Sequence, residues 1–248
     1  FTASIVGSAL GAQRIEIWTD VHGMLTADPT LYQRARRVKV ISFQEASELA
    51  YFGAKVLHPS TLLPAIQKRI PVAILNSRNP KAPGTLIIEK APATKNIFKS
   101  IACKKNITIV DICSTRMLMA YGFLRAIFEV FERYETPVDM VSTSEVSVSL
   151  TVDNARRLPE IVEELRRIAS VSYQGGMAIV CLVGDNIKFT PGIAGKVFKA
   201  VEKVNVRMIS QGASLLNISF VVDERRLKEV VSRLHRTFFR EVDPKVFE

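Results

Sequence analysis

Two polar segments of the sequence contain residues that could bind a phosphate-bearing ligand. Residues 19–23 (Thr-Asp-Val-His-Gly) follow directly on residues 14–18, which predict a strand. Polar residues just beyond the carboxyl end of a parallel strand are where open α/β sheets bind ligands. In residues 53–56 (Gly-Ala-Lys-Val), the ammonium group of Lys55 follows a glycine turn and could reach a phosphate. The residues alone also allow a plain Asp-rich turn in the first segment and a surface charge at Lys55.

Other common catalytic and phosphate-binding patterns are missing from the sequence. It contains neither G-x-x-x-x-G-K-[ST] nor G-x-G-x-x-G. His22, His58 and His235 have no metal-ligand spacing, which favours solvated or core roles, and no Ser-His-Asp or Cys-His arrangement follows from the spacing. The three cysteines include no C-x-x-C pair, which predicts reduced thiols in a cytosolic protein. We therefore expect no metal site.

The composition is that of a globular protein with a basic surface. Of 248 residues, 48% are hydrophobic and 23% are charged, and charges interrupt every apolar stretch, which excludes disorder and a membrane span. The net charge of +10 is spread along the chain, so a solvated surface or a phosphate ligand fits it better than nucleic acid. The sequence starts at Phe1 without a basic leader, which predicts a chain that begins inside a longer cytoplasmic protein.

Residues 1–90 show alternating strand and helix patterns, which predict an α/β layer structure. Ser42 and Glu45 form a capping-box pattern that opens a helix, and Gly53 can close that helix. A second helix is predicted over residues 58–69, and strands over residues 71–75 and 85–88. Residues 91–96 are a linker.

The rest of the chain contains an internal repeat with an offset of 70 residues. Gly122–Phe128 matches Gly192–Phe198, and Asp153 matches Asp223. Each copy predicts the order β-α-β-β-α-β. We call residues 106–174 the first unit.

The second copy lacks its last strand, because only a polar tail is predicted after Phe239. Residues 97–103 form a spare strand ahead of the first unit. We therefore predict that this strand closes the sheet of the second copy. The second unit then comprises residues 97–105 and 175–248, with the first unit inserted in it.

Long segments of the chain resemble the aspartate kinase family. EIWTDVHGMLTADP and ELAYFGAKVLHPSTLLPA resemble the carboxyl-terminal half of its catalytic domain, which is an amino-acid-kinase α/β/α sandwich. VDMVSTSEVSVSLTVD and FTPGIAGKVF resemble its paired regulatory ACT domains. The resemblance implies an α/β protein with an incomplete kinase portion, followed by two ferredoxin-like βαββαβ ACT domains, the first inserted in the second.

The family transfers the γ-phosphoryl group of ATP, with Mg²⁺, to the side-chain carboxylate of aspartate. Leu25 departs from the family's frequent Tyr, and Thr30 replaces an Arg that is a phosphate donor. The family's Lys-Phe-Gly-Gly and Arg-Gly-Gly-Ser-Asp segments are not present. We therefore expect no catalytic residue here, no tightly bound cofactor, and no phosphorylation of aspartate by these residues alone. The resemblance implies that the ATP contacts are Thr19, Asp20, Leu25, Thr30, Lys55 and Val56.

The resemblance also implies an amino-acid inhibitor at the interface of two first units, in a homodimer or a higher oligomer. We expect lysine rather than threonine, because Asp139 and Glu145 could meet two ammonium groups. Free N–H groups near Phe123 and Leu124 could hold the α-carboxylate. Alternatively, the two acidic residues are ordinary strand-end charges. The other expected pocket residues are Met117, Ala120, Val138, Thr143 and Ser144.

The sequence suggests three interpretations of the whole protein to which the chain belongs. The first is a feedback-regulated aspartate kinase, and the second is a separate regulatory subunit that binds an amino acid without catalysis. A nucleic-acid-binding ACT regulator would need a helix-turn-helix segment, and the sequence shows none. We also expect the partial kinase portion to expose apolar strands and to self-associate or be disordered.

Overall fold

The computed structural model describes residues 1–53, 59–115 and 121–248. Its amino-terminal part contains, within the described residues, a four-stranded mixed sheet in the order β1-β3-β4-β2. β1 and β3 are parallel, as are β2 and β4, whereas β3 and β4 are antiparallel. The elements are α1 (Thr2–Ala9), β1 (Ile15–Thr19), β2 (Val40–Ser42), α2 (Phe43–Tyr51), α3 (Pro59–Lys68), β3 (Val72–Asn76) and β4 (Thr85–Ile88).

Helix α2 begins with the predicted capping box. Ser42 Oγ accepts a hydrogen bond from the Glu45 N–H at 3.2 Å, and Glu45 Oε2 accepts one from the Ser42 N–H at 2.9 Å. Gly53 follows the helix with φ of 106°, a left-handed conformation that glycine adopts at little cost. Both ends of α2 are therefore set by local sequence.

The carboxyl-terminal part contains, over residues 97–115 and 121–248, a six-stranded sheet in the order β6-β7-β5-β8-β10-β9. Four helices complete the two units, α4 and α5 in the first and α6 and α7 in the second. The elements are β5 (Phe98–Cys113), α4 (Phe123–Arg133), β6 (Val141–Thr143), β7 (Ser147–Val152), α5 (Leu158–Leu165), β8 (Ser170–Gly184), α6 (Ile193–Ala200), β9 (Met208–Gln211), β10 (Asn217–Asp223) and α7 (Leu227–Phe238).

The spare strand pairs with the second unit, as predicted. Residues 98–104 lie antiparallel to residues 179–184, and residues 107–113 lie antiparallel to residues 170–177. The prediction was wrong in treating these segments as separate strands and the two sheets as separate. β5 and β8 each run through both units, with register shifts between Lys104 and Ile109 and positive φ at Asn106 and Gly176. A β-bulge at these residues lets each strand continue from one unit into the other without a turn. The two sheets are therefore one sheet.

Buried side chains of the described residues form two clusters. One lies within the first unit and includes the predicted stripe Leu158, Ile161, Val162 and Leu165 of α5. The other is continuous from the amino-terminal part into the second unit, where it includes the α7 stripe. The amino-terminal part therefore shares its hydrophobic core with the second unit.

The carboxyl-terminal tail differs from the prediction of a polar segment. Val246 and Phe247 are fully buried, and Phe247 forms a β-bridge with Val38. The Lys39 N–H donates to Val246 O at 2.7 Å, and the Glu248 N–H donates to Arg37 O at 3.0 Å. Three apolar residues, Val242, Val246 and Phe247, give no periodic signal in a short polar tail, so this docking depends on tertiary contacts that the tail sequence alone does not encode.

The outer face of α1 is apolar and exposed. Phe1, Ile5, Val6 and Leu10 all face solvent, as does Trp18 on the edge strand β1. The prediction of exposed apolar strands was wrong for β3, where Val72 and Ile74 are buried, and the exposed apolar surface is that of α1 and Trp18. Self-association through this surface stays a prediction. Among the described residues, no helix combines the length and apolar character needed to cross a membrane.

Candidate functional site

Thr19 and Asp20 lie where the sequence analysis expected, at the carboxyl end of β1. Thr19 is paired with Asn76 of the parallel strand β3, and Asp20 is exposed just beyond it. Thr19 O accepts hydrogen bonds from the N–H of Ser77 at 2.8 Å and from its Oγ at 2.9 Å. The Asn76 amide lies 3.1 Å from His22 Nδ1. Polar groups thus gather at the carboxyl ends of two adjacent parallel strands, a common ligand position in α/β sheets.

Leu25 and Thr30 lie on one hairpin, residues 24–38, which we call the β1 hairpin. Its arms are joined by the Thr26 N–H to Arg36 O bond at 2.8 Å and by the Val38 N–H to Met24 O bond at 2.8 Å. Near the tip, the Thr30 N–H and Oγ both donate to Asp28 Oδ1, at 2.8 and 2.7 Å. The Thr30 hydroxyl hydrogen is therefore already used, so Thr30 does not take over the role of a phosphate-donating arginine.

Lys55 and Val56, the other expected nucleotide contacts, lie outside the described residues. Residues 54–58 join the end of α2 to α3. Within the described residues, no group of three or more His, Cys, Asp or Glu side chains could hold a metal ion.

His235 of α7 is a core residue that contacts both arms of the β1 hairpin. It is 3% exposed, and its Nε2 lies 2.8 Å from Thr26 Oγ1. Its ring stacks between those of Tyr32 and Phe239, with centroids 4.1 and 4.9 Å away. No local pattern in the sequence marks His235 for this place, because its partners are distant in the chain.

Acid is expected to destabilise the protein through His235. Burial, reinforced by the positive charge of Arg36, lowers the pKa of His235 to about 4, against ~6.5 for an unperturbed histidine. Between these values the unfolded chain binds a proton that the folded protein does not, so stability falls as pH falls. The loss is ~1.4 kcal/mol per pH unit and about 3 kcal/mol in total below pH 4.

Urea unfolding of the wild type and of His235→Gln between pH 7 and pH 4.5 measures this loss. The wild type should lose more stability than the variant over that range. Equal losses in the two proteins would contradict the expectation.

Most of the expected effector residues that the structure describes lie at one end of the first unit. β5 and β6 run parallel on either side of β7, and α4 connects the end of β5 to the start of β6. The amino terminus of α4 therefore lies at the same end as the β6–β7 turn, which carries Thr143, Ser144 and Glu145. All three residues of the turn are exposed, as is Leu124, while Phe123 packs partly against the core.

This end of the first unit has free hydrogen-bonding groups. α4 begins after Gly122, which has φ of 81° and no side chain to cap the first N–H groups. In the turn, the Ser144 N–H donates to Ser147 O at 2.8 Å, and the Ser144 and Ser147 hydroxyls lie 2.6 Å apart. Backbone donors and the Glu145 carboxylate could thus receive the two ends of a zwitterionic ligand. Met117 and Ala120, also expected here, lie outside the described residues.

Asp139 lies at the opposite end of β6 from Glu145, and its side chain is 4% exposed. Its Oδ1 is 2.6 Å from Lys104 Nζ, which also lies 2.7 Å from Asp153 Oδ2. Thr143 is four residue steps from Asp139, which is ~13 Å in extended chain. Within one chain, the structure therefore does not bring Asp139 and its half-buried neighbour Val138 to the turn that holds Glu145.

Burial and charge act in opposite directions in the Lys104 cluster. Burial raises the pKa of Asp139, and the Lys104 ammonium opposes that rise. Burial alone would lower the pKa of Lys104, but the hydrogen bonds and charges of Asp139 and Asp153 raise it above its usual value. The Lys104 ammonium also lies 5.7 Å from the ring of Tyr51 at the end of α2. The ion pair therefore joins the first unit to residues 97–105 of the second unit, and the contact with Tyr51 joins those residues to the amino-terminal part.

Comparisons with known proteins agree with this architecture. Residues 1–76 match the model of the amino acid kinase family, and residues 180–238 match an ACT domain. Aspartokinase 1, chloroplastic, of Arabidopsis thaliana is 47% identical over 98% of this chain and 44% of its own length. A structure of a carboxyl-terminal regulatory domain of aspartate kinase from Porphyromonas gingivalis is 40% identical over 58% of this chain and 99% of its own, with a TM-score of 0.53.

Two structures of Escherichia coli aspartokinase III also match. The complex with aspartate and ADP, in the R-state, has a TM-score of 0.88 and 39% identity over 96% of this chain and 55% of its own. The complex with lysine and aspartate, in the T-state, has a TM-score of 0.86 and 40% identity over 96% and 54%. The chain spans about half the length of these full-length relatives. With identity sustained over nearly all of its residues, the chain belongs to the aspartate kinase family.

Proposed function

We propose that this chain is part of an aspartate kinase that phosphorylates L-aspartate with ATP to 4-phospho-L-aspartate and is inhibited by lysine. This reaction opens lysine, threonine and methionine biosynthesis. The observation that carries the proposal is the 39–40% identity, over 96% of the chain, to a bacterial enzyme whose structures contain ADP, aspartate and lysine. The chain would supply part of the nucleotide site and the whole regulatory region.

The nucleotide is proposed to bind at the carboxyl end of β1, with its Mg²⁺ held through the phosphates. Thr19 and Asp20 lie at that edge, and Leu25 and Thr30 are presented by the β1 hairpin. Lys55 and Val56 are included because the family resemblance places a second nucleotide segment there. Phosphoryl transfer depends mainly on positioning and charge stabilisation, so the placement of these segments matters more than any single side chain that acts as a general base.

Lysine is proposed to bind at the free end of the first unit, where two copies of the chain meet. The N–H groups at the start of α4 would hold the α-carboxylate, and Glu145 would accept an ammonium group. In one chain Asp139 is distant and paired with Lys104, so a second carboxylate would come from the partner copy. The remaining proposed contacts are Met117, Ala120, Phe123, Leu124, Thr143 and Ser144, with Val138, like the second carboxylate, from the partner copy.

The proposed domain division follows the strand pairing. Residues 1–90 form the kinase portion and residues 91–96 the linker. Residues 106–174 form the first ACT domain, and residues 97–105 with 175–248 form the second. A homodimer through the ACT domains completes the proposal. We place the protein in the cytoplasm from its unpaired thiols, although the plant relative is named as chloroplastic.

The proposed activity is tested in the complete enzyme that contains this chain. ATP-dependent phosphorylation of aspartate, inhibited by lysine at constant substrate, is the expected result. Absence of aspartate-dependent ATP consumption would overturn the proposal. The alternative is a non-catalytic regulatory subunit, favoured by the match to an isolated regulatory domain over 99% of that chain. The intact mass of the endogenous protein separates the two.

Replacing Glu145 with glutamine is expected to weaken lysine binding roughly tenfold or more, because a charge-assisted hydrogen bond contributes ~1.5–3 kcal/mol. Titration calorimetry on this chain measures the change. Glu163→Gln, on the exposed side of α5, is the matched control and should leave lysine affinity unchanged. Binding of threonine in place of lysine, or equal lysine affinity in both variants, would contradict the assignment.

A further inference from the structure

Residues of the second unit form hydrogen bonds with the start of the β1 hairpin, at residues 25–27. Ser100 Oγ donates to Leu25 O at 2.6 Å, and the Ile101 N–H donates to Thr26 O at 2.9 Å. Ala27 and Ile101 form a parallel β-bridge. The hairpin that carries two of the proposed nucleotide contacts thus lies directly on β5. Its incoming arm is held there by the backbone.

The Thr26 hydroxyl can be the donor in its hydrogen bond with His235. Thr26 Oγ1 accepts the Arg36 N–H at 2.8 Å, so the hydroxyl hydrogen can be donated to His235 Nε2 at 2.8 Å. His235 is then the neutral tautomer with its proton on Nδ1. The lowered pKa of this buried ring agrees with a neutral imidazole at physiological pH. The Thr26 hydroxyl therefore contacts both the His235 imidazole and the Arg36 N–H of the outgoing arm. His235 is connected through it to the two arms of the hairpin.

The same ring also contacts the outgoing arm. Tyr32, which follows the hairpin tip, stacks on His235 at an interplanar angle of 28°. On the other side of the ring lies Phe239, which leads into the tail that bonds Arg37 and Lys39. α7 and the tail thus contact the hairpin at Thr26, Tyr32 and Arg37, and also contact Lys39 just after it.

We propose that His235 is a positioning residue for the nucleotide: through Thr26 and Tyr32 it holds the β1 hairpin in the place that ATP requires. This role rests on the proposed function. It makes the second unit the support of the nucleotide site, whereas lysine is proposed to bind at the far end of the first unit. Loss of the bond lets the hairpin shift, which weakens ATP binding without touching aspartate.

The test compares kinetic constants of the complete enzyme. His235→Phe keeps the stacked ring and removes the acceptor, and Thr26→Val removes the donor. Each is expected to raise the KM for ATP about threefold to tenfold, the range for one lost hydrogen bond. The KM for aspartate, the kcat and the lysine inhibition constant should change less than twofold. The double variant should resemble the worse single variant, because both remove the same bond.

The controls separate positioning from folding. Arg236→Gln, on the exposed side of α7, should leave the KM for ATP unchanged. If His235→Phe does not fold, Thr26→Val compared with Thr26→Ser tests the same bond. A lowered melting temperature with an unchanged KM for ATP in folded His235→Phe or Thr26→Val would overturn the role of His235. A wild-type enzyme without ATP-dependent activity on aspartate would instead overturn the proposed function.

Discussion

Replacing Phe247 with alanine is expected to destabilise the protein by about 3–5 kcal/mol, the usual cost of truncating a buried phenylalanine. The side chain is 1% exposed and packs edge-on against Phe239 with ring centroids 6.1 Å apart. Its backbone forms the bridge to Val38, the last residue of the β1 hairpin. The cavity would therefore open between the amino-terminal part and α7, where relaxation is limited by strands on one side and a helix on the other.

Phe189→Ala provides the matched control, because Phe189 is 66% exposed and the same atoms are removed. That variant should change the free energy of unfolding by less than ~0.5 kcal/mol. Urea unfolding followed by circular dichroism measures both variants. Similar losses in the two would show that the tail is not docked as described.

Replacing Lys104 with methionine is expected to cost about 3–5 kcal/mol at pH 7, because it leaves the buried carboxylate of Asp139 without its partner. Lys104 bonds both Asp139 and Asp153, and Asp139 is 4% exposed. Burial already raises the pKa of Asp139, and removal of the ammonium would raise it further. The cost should therefore shrink as the pH falls and Asp139 becomes protonated.

Lys105→Met is the matched control, since Lys105 is the exposed neighbour and undergoes the same chemical change. It should be close to neutral. Adding Asp139→Asn to Lys104→Met should recover a large part of the lost stability, because no buried charge is then left alone. A Lys104→Met variant as stable as Lys105→Met would exclude a buried ion pair at this position.

Sequence patterns predicted elements where local spacing decides the structure. The strand Thr85–Ile88 has the expected bounds, and the capping box of Ser42 and Glu45 opens α2 as expected. The apolar stripes of α5 and α7 are buried because their helical spacing leaves one face for a core. Thr19 and Asp20 lie at a strand end because polar residues after an apolar run mark that position.

Features that depend on distant partners could not be predicted in this way. Lys104 and Asp139 are 35 residues apart, and Thr26 and His235 are 209 apart. No periodicity links such pairs, so Asp139 looked free for a ligand and His235 looked like an ordinary core residue. The continuity of β5 and β8 depends on bulges, which leave no strong mark in an alternating pattern.

The long β5–β8 ribbon also bears on the order of folding. Pairing residues 98–104 with residues 179–184 directly would close a loop of some 80 residues, which is slow for a chain without structure. Once the first unit has folded, its parts of β5 and β8 lie side by side. The two points at which the chain leaves the first unit, at the bulge, are then already adjacent. The second unit can then extend the ribbon by pairing one residue of β5 with one residue of β8 at a time. The inserted unit thus acts as a preformed turn, and we expect variants that slow its folding to delay the second unit and the docking of the kinase portion.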